Sequence, residues 1–160
     1  MIMISIRFAA VLASATMVTA AAASALAVDG MVTKPSAHSV NATIERFEAA
    51  AKKRGFIIFT RLDHAAAAES VGLKMPRATV IVFGNPRLGT PVFLKTPTVA
   101  IDLPPKAMVW EDSNGKVFLS YNSAQFLYGS IYVRHGVAAD KAVADKVEAT
   151  LAAIAEEAVN

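Results

Sequence analysis

Cysteine is absent from this chain of 160 residues. Its absence excludes disulfide bridges, thiolate nucleophiles and cysteine-ligated zinc sites. Histidine is also scarce, with only His38, His64 and His135. The sequence contains neither an HExxH motif nor a serine in a G-x-S-x-G turn, so the zinc-protease and serine-hydrolase patterns fail. Apolar packing must therefore hold the fold, and any chemistry must come from a few polar groups.

Charge is sparse as well, since Asp, Glu, Lys and Arg make up 18% of the residues and the formal net charge is +3. The one basic run, Lys52-Lys53-Arg54, falls where a helix should end, and the helix dipole favours cations there. No basic face with interleaved aromatic residues is visible, so we expect no nucleic-acid binding.

Residues 1–27 have the pattern of a secretory signal peptide. Arg7 precedes an apolar, alanine-rich run that finishes Ala25-Leu26-Ala27, which suits cleavage after Ala27. The run is shorter and more polar than a membrane-spanning helix of about 20 residues. We therefore expect a periplasmic or secreted protein with one domain at 28–160 and no stable membrane insertion after cleavage. The alternative is an uncleaved N-terminal membrane helix.

Hydrophobic periodicity and turn residues predict the elements of the domain. The predicted strands are 31–34, 56–61 (buried), 78–83, 106–112 and 116–121, and the predicted helices are 40–54, 64–71, 90–95, 122–135 and 140–158. Asp63 is the expected N-cap of the second helix, Thr90 of the third and Asn122 of the fourth. Asn114-Gly115 predicts a two-residue turn with positive φ at both positions, and hence a β-hairpin over 106–121. The order predicts an α+β fold with one mixed or antiparallel sheet of four to five strands and helices packed on it.

Gly84 and Gly89 have the spacing of the outer glycines in a GxxxxGK[ST] phosphate loop. The rest of that pattern fails, because Thr90 stands at the lysine position and Pro86 and Pro91 have no N–H to donate to a phosphate. We interpret Gly84-Asn85-Pro86 as a tight turn at the end of a strand, a turn that can still line a pocket.

Five sequence blocks in order resemble the DUF302 family, and the resemblance covers about Ser36 to Val137. They are DHAAAA (63–68), FGNPRLGTP (83–91), AIDLPPKAMVWED (100–112), NGKVFLSYN (114–122) and RHG (134–136). The resemblance implies a small α+β domain that tends to form homodimers, occurs in cytoplasmic and exported proteins, and has no assigned biochemical role. Pro105 departs from the family pattern, which more often has one proline followed by an aliphatic residue.

The two histidines in these blocks are candidate site residues. His64 should begin a helix, where the dipole favours a neutral ring that can act as a base or a ligand. His135 should end a helix, where the dipole favours the charged ring. For both, the alternative is a polar group satisfied at a helix terminus.

Asn85, Asp102 and Tyr121 complete the candidate ligand-binding set. Asp102 stands between Ile101 and Leu103 near the start of a predicted strand, so partial burial would require a partner. The alternative for Asp102 is a turn carboxylate bonded to local N–H groups. Tyr121 ends the last strand. If Asn85, Asp102 and His64 meet at one end of the sheet, they form a pocket.

Three functions remain open from the sequence. The first is a non-catalytic exported dimer that binds a small molecule, a metal or haem. The second is an enzyme with His64 as general base and Asp102 as its orienting group. The third is a structural or chaperone-like dimer. The sequence identifies neither a cofactor nor a catalytic set.

Overall fold

The computed structural model describes residues 29–160, so the expected leader at 1–27 lies outside the described residues. The strands are β1 (Met31–Pro35), β2 (Ile57–Asp63), β3 (Ala78–Gly84), β4 (Lys106–Glu111) and β5 (Val117–Asn122). The α-helices are α1 (Val40–Lys53), α2 (His64–Ser70), α3 (Pro86–Lys95), α4 (Ala124–Phe126) and α5 (Lys141–Val159). A 3-10 helix at Pro97–Ile101 follows α3, and a π-helix at Leu127–Tyr132 continues α4.

The five strands form one sheet in the order β1-β5-β4-β3-β2, and every neighbouring pair is antiparallel. The antiparallel form of the predicted α+β fold is thus confirmed. The core lies on one face of this sheet, where alternate residues of β3, β4 and β5 pack against α1 and α5. Its fully buried members include Phe47, Ile81, Phe83, Val109, Leu119 and Ile154.

Local sequence determines where helix α1 begins, which face it buries and where it ends. The Ser39 side chain accepts a hydrogen bond from the Ala42 N–H and caps α1, whose apolar stripe includes Ile44 and Phe47. Gly55 follows with φ of 78°, a conformation that costs glycine nothing. The chain can therefore leave the helix and turn into β2.

The hairpin between β4 and β5 was predicted, but its turn differs from the expected one. Gly115 has φ of 76°, whereas Asn114 has no positive φ, so the loop is not the two-residue type with two left-handed residues. Instead, Asp112 Oδ1 accepts hydrogen bonds from the N–H groups of Asn114 and Lys116. This side chain closes a loop from Asp112 to Lys116, which is longer than the two-residue turn that the sequence predicted.

Strand β2 is an exposed edge strand, and the prediction that it is buried was wrong. Only Ile58 is half-buried along it, and the outer side of β2 has no neighbouring strand among residues 29–160. The register shifts between Ile58 and Thr60, which leaves Phe59 in a bulge. The apolar run FIIF resembles a buried strand because periodicity alone does not report which strand lies at the edge.

Beyond β2 the chain forms a projection that we call the arm, residues 64–77. It consists of α2, capped by Asp63 as predicted, and the loop that leads to β3. No residue of α2 is buried. None of the described helices is both long and apolar enough to span a membrane.

Candidate functional site

A cavity of about 420 Å³ opens at the end of the sheet where β3 finishes. Its walls come from the start of β2, from α3, from the turn before β4, from the π-helix and from the first half of α5. The lining is almost wholly apolar, and its largest members are Phe56, Phe59, Leu88, Phe93, Leu103, Leu127, Tyr128, Tyr132 and Val147. Asn85 and Thr90 also line it, so only a few polar groups face the space.

The wall formed by α3 begins earlier than the sequence predicts. Asn85 is its N-cap and accepts a hydrogen bond from the Arg87 N–H, while Pro86 occupies the first helical position. The predicted cap at Thr90 was therefore wrong, because Pro91 was taken for a second start signal when it lies inside the helix. In capping the helix, Asn85, a candidate binding residue, uses its side-chain oxygen as a hydrogen-bond acceptor.

Gly84 allows two rings to meet at the cavity. A Cβ at this position would lie 3.2 Å from Phe59 Cε2 and 3.2 Å from Pro104 Cβ, closer than ordinary contact. The absence of a side chain here lets the bulged Phe59 of β2 and the turn before β4 close over the end of β3. This is the structural role of the first glycine in the FGNPRLG stretch.

The π-helix supplies the aromatic wall on the other side. The rings of Tyr128 and Tyr132 have centroids 4.6 Å apart and are inclined at 46°. Burial raises the pKa of Tyr128 to about 12, and burial also raises the pKa of Tyr132. Both hydroxyls therefore stay protonated at neutral pH and can donate hydrogen bonds. π-Helical turns are often found at functional sites.

A cluster of four polar side chains borders this cavity, and we call it the Asp102 cluster. His135 Nε2 lies 2.7 Å from Asp102 Oδ2, and His135 Nδ1 lies 3.1 Å from Thr98 Oγ1. Arg134 Nη1 donates to both carboxylate oxygens of Asp102, at 3.2 and 3.1 Å. The cluster joins the 3-10 helix, the turn before β4 and the end of the helical segment that began at Ala124.

The electrostatics of this cluster favour an ionised Asp102. The hydrogen bond from His135 is the main cause that holds the pKa of Asp102 below its usual value, and the positive charge of Arg134 adds to it. A carboxylate at Asp102 can accept a hydrogen bond from His135 Nε2–H, and in that tautomer of the ring Nδ1 can accept a hydrogen bond from the Thr98 hydroxyl. The arrangement therefore orients the imidazole through both of its nitrogens.

Residues 32–158 match the family described as Domain of unknown function DUF302. The chain belongs to this family. The solved structure of an uncharacterized conserved DUF302 protein from Bacillus stearothermophilus has a TM-score of 0.68 with this chain at 23% identity, and the alignment covers 82% of this chain and 99% of that one. This likeness confirms the DUF302 fold.

Curated relatives of this DUF302 domain have a different name. The chain is 47% identical over 98 residues to proteins named fluoride-specific ion channel FluC 1 from Brucella suis and Brucella abortus. The alignments cover 61% of this chain but 39% and 36% of those proteins. The chain thus spans less than two fifths of their length.

The DUF302 domain brings together only part of the predicted site. Asn85 lines the cavity, and Asp102 and His135 pair beside it. His64 lies elsewhere, because Asp63 pairs with Thr79 whereas Ile57 pairs with Gly84. These pairs are five residues apart on β3, which is roughly 17 Å along a strand.

Three predicted roles therefore need correction. His64 and Asp102 lie at opposite ends of the sheet, so His64 cannot act as a base that its own Asp102 orients. Tyr121 is a core residue that is 4% exposed and does not line the cavity. Burial raises the pKa of Tyr121 to about 12. Asn122 does not cap a helix either, because Ser123 is the N-cap of α4.

Several functional candidates of this DUF302 domain were missed by sequence reasoning. Thr98 and Arg134 complete the Asp102 cluster, and Phe59, Tyr128 and Tyr132 shape the cavity. The RHG block contained Arg134 beside His135, so the charged pair could have been proposed from it. Nothing in the sequence signals the π-helix that turns Tyr128 and Tyr132 toward one space.

No group of three or more His, Cys, Asp or Glu side chains suited to a metal ion occurs in the part of the chain that the structure describes. The cavity lining contains no imidazole, thiol or carboxylate. Its chemistry suits an apolar organic molecule better than a metal ion.

Proposed function

We propose that this DUF302 domain is an exported, homodimeric binding domain for a small apolar molecule and that it performs no catalysis. The observation that carries the proposal is the cavity of about 420 Å³ with its apolar lining. This volume falls within the range of small-molecule sites, about 300–1,000 Å³, which combine apolar walls with a few placed polar groups. Export rests on the pattern of residues 1–27, and dimerisation rests on the family resemblance and on the exposed apolar surfaces described below.

The lining residues indicate which class of ligand the cavity would bind. Five aromatic residues surround the space, namely Phe56, Phe59, Phe93, Tyr128 and Tyr132. Aromatic walls favour flat, apolar ligands through stacked and edge-to-face contacts. The tyrosine hydroxyls, Asn85 and Thr90 can bond a single polar substituent. We therefore favour an organic ring compound over a bare metal ion. We also favour it over haem, because no His, Cys or Met lines the cavity and the raised pKa values of Tyr128 and Tyr132 disfavour the tyrosinate that would bind haem iron.

The fluoride-channel name of the relatives is not carried over to this chain. That name describes proteins more than twice as long as the matched segment, and this chain covers 39% of the Brucella suis protein. The cavity lining also contains no cationic side chain that would hold a small anion.

Binding can be tested with native mass spectrometry and a fluorescent probe. Native mass spectrometry of the purified protein shows whether an organic molecule is bound. Any bound molecule is then extracted, and the emptied protein is titrated with 8-anilino-1-naphthalenesulfonate. We expect saturable binding at one probe per chain. Val147→Phe should fill the cavity and abolish binding, because Val147 lines it, while Ala149→Phe on the exposed side of the same helix should bind as the wild type does. Equal binding by both variants would show that the cavity is not the site.

A second candidate function is hydrolysis of an ester, and the row Thr98–His135–Asp102 favours it. Its distances of 3.1 and 2.7 Å order a hydroxyl, an imidazole and a carboxylate as in nucleophilic acyl transfer. Thr98 Oγ would attack the carbonyl carbon while His135 Nδ1 takes the hydroxyl proton and passes it to the leaving alcohol. Water would then cleave the acyl-threonine ester and restore the hydroxyl.

Turnover of p-nitrophenyl esters separates the two functions. Release of nitrophenolate that is lost in both Thr98→Val and His135→Gln would establish hydrolysis. Release that is equal in the wild type and both variants would leave only binding. Binding without any turnover is the result that the first proposal expects. If neither binding nor turnover occurs, a structural or chaperone-like dimer is the function left from the sequence.

A further inference from the structure

Strand β2 is an unpaired edge with apolar side chains. Ile57, Phe59 and Leu62 are each more than two fifths exposed although they are large and hydrophobic. Along an edge strand, alternate N–H and C=O groups face outward and can pair with another strand. In the part of the chain that the structure describes, no strand or helix pairs with the outer side of β2. The bulge at Phe59 interrupts this edge, and Thr60 to Asp63 continue it as a regular run.

The arm at residues 64–77 is a second apolar surface that its own chain leaves uncovered. Its first part is the alanine-rich α2, and its loop carries Val71 and Leu73, which are 71% and 65% exposed. An isolated helix of seven residues gains little from its own hydrogen bonds, so packing normally supplies its stability. Within one chain, α2 has no buried residue.

The mouth of the cavity is the third such surface, and it lies at the opposite end of β2. Leu88 lines the cavity and is 60% exposed. Leu94 and Ile101, which are close in sequence to the lining residues Phe93 and Leu103, are 79% and 78% exposed. The arm follows the last residue of β2, whereas Phe56 in the cavity wall precedes the first. One chain therefore cannot cover its own cavity mouth with its own arm.

Antiparallel pairing of β2 with β2 of a second copy brings these surfaces together. A twofold axis through the middle of β2 sets Thr60 opposite the partner's Thr60, and the two strands run in opposite directions. The end of the partner's β2 then lies beside Ile57, and the partner's His64 lies beside Phe56. Since the arm follows His64, the same operation would bring each arm toward the end of the sheet where the other copy's cavity opens.

We propose that two copies of this chain join through antiparallel β2 strands and that each cavity is completed by the partner's arm, with the partner's His64 at its mouth. This inference rests on the proposed function, because it adds residues to the proposed binding site. A second copy is the occupant because all three uncovered surfaces belong to this chain and complement one another under one twofold axis. The arrangement also brings a histidine to the end of the sheet where Asn85 and Asp102 lie.

The absence of cysteine makes the contact directly testable. Strand pairs place opposed Cα atoms about 4.5–5.5 Å apart, and a disulfide requires roughly 4.4–6.8 Å. We therefore expect Thr60→Cys to form a covalent dimer under mild oxidation at micromolar concentration. Ser113→Cys, on the exposed loop between β4 and β5, is the matched control and should stay uncrosslinked. A monomer, or a dimer that Thr60→Cys does not crosslink, such as one formed through the open face of the sheet, would overturn the proposal.

The contribution of the arm to the cavity has its own test. Leu73→Asp should leave the monomer folded, since Leu73 is exposed there, but should weaken dimerisation by about tenfold or more and weaken probe binding with it. His64→Ala should keep the dimer and reduce the affinity for the anionic probe. Unchanged probe affinity in both variants would disprove completion in trans and leave the proposed function standing. If wild-type protein binds no probe, the proposed function fails while the Thr60→Cys result still decides the dimer contact.

Discussion

The Nε2 atom of His135 lies 2.7 Å from Oδ2 of Asp102, although 33 residues separate them in sequence. Asp102 precedes the turn that contributes Leu103 and Pro104 to the cavity, and His135 follows the π-helix that contributes Tyr132. The contact therefore fixes the separation of two cavity walls. Arg134 strengthens the same connection from the helical side.

We predict that this connection weakens in acid. The pKa of Asp102 is below its usual value of 3.8 in the folded chain, so its stabilising contribution is complete above that value and is lost as pH falls through the lower, folded pKa. The melting temperature of the wild type should therefore fall more steeply below pH 4 than that of Asp102→Asn. Parallel curves for the two proteins from pH 7 to pH 2 would contradict this role.

Loss of the Glu48 carboxylate should lower the free energy of unfolding more than loss of the Asp102 carboxylate does. Glu48 on α1 is 7% exposed and accepts a hydrogen bond from Arg61 Nε on β2, which is the main cause that lowers the pKa of Glu48. Glu48→Gln should cost about 1–3 kcal/mol in the free energy of unfolding, because a charge-assisted hydrogen bond is lost in a buried setting. Urea titration measures the difference. Glu45→Gln, on the exposed side of the same helix, is the control and should change stability little.

Gly30→Ala should destabilise the fold for two reasons, backbone strain and a steric clash with Phe126. Gly30 has φ of 75°, and a Cβ there would lie 2.6 Å from Phe126 Cδ2. Gly115 has nearly the same backbone, with φ of 76°, but nothing within 4 Å of the added atom. Gly115→Ala should thus report backbone strain alone, of about 1–3 kcal/mol. Gly30→Ala should lose more than that, and equal losses would show that Phe126 moves away without cost.

Cleavage of the leader should occur between Ala27 and Val28. The reason is the small residues at Ala25 and Ala27 after an apolar run. Edman sequencing or intact mass measurement of protein recovered from the periplasm should show Val28 as the first residue. Ala27→Arg should block processing and leave the full-length mass. Wild-type protein that retains Met1 after export would contradict the prediction.

Much of the fold could be predicted from sequence because its signals are local. Asp63 caps α2, Gly55 ends α1 and the hairpin flanks Asn114-Gly115, and each of these features depends on residues a few positions apart. The edge position of β2 could not be predicted in this way. An apolar run gives no information about the number of neighbours a strand has, and that number is set by the order of strands in the whole sheet.

The candidate site could likewise be predicted only where it depends on local sequence. Asp102 and His135 were both candidates from the sequence, but the sequence paired Asp102 with His64, because both residues adjoin predicted strands. The register of β2 on β3 places His64 at the other end of the sheet. The sequence placed Asn85 and its turn in a pocket at one end of the sheet, and they do line the cavity. Its apolar walls could not be predicted, since they come from five separate segments that only the folded chain assembles.

Pro91 gives the α3 wall a different dynamic character from the rest of the cavity. Proline has no N–H to donate, so the carbonyl of Arg87, four residues earlier, loses its usual helical partner. Helix α3 also contains no buried residue, unlike α1 and α5. Opening of this wall would therefore break few core contacts, so we expect α3 to be the part of the cavity wall that opens first. We therefore expect α3, which carries Phe93, to control the rate at which a bound molecule would exchange, while Phe56, Tyr128 and Tyr132 outside α3 keep their contacts with it.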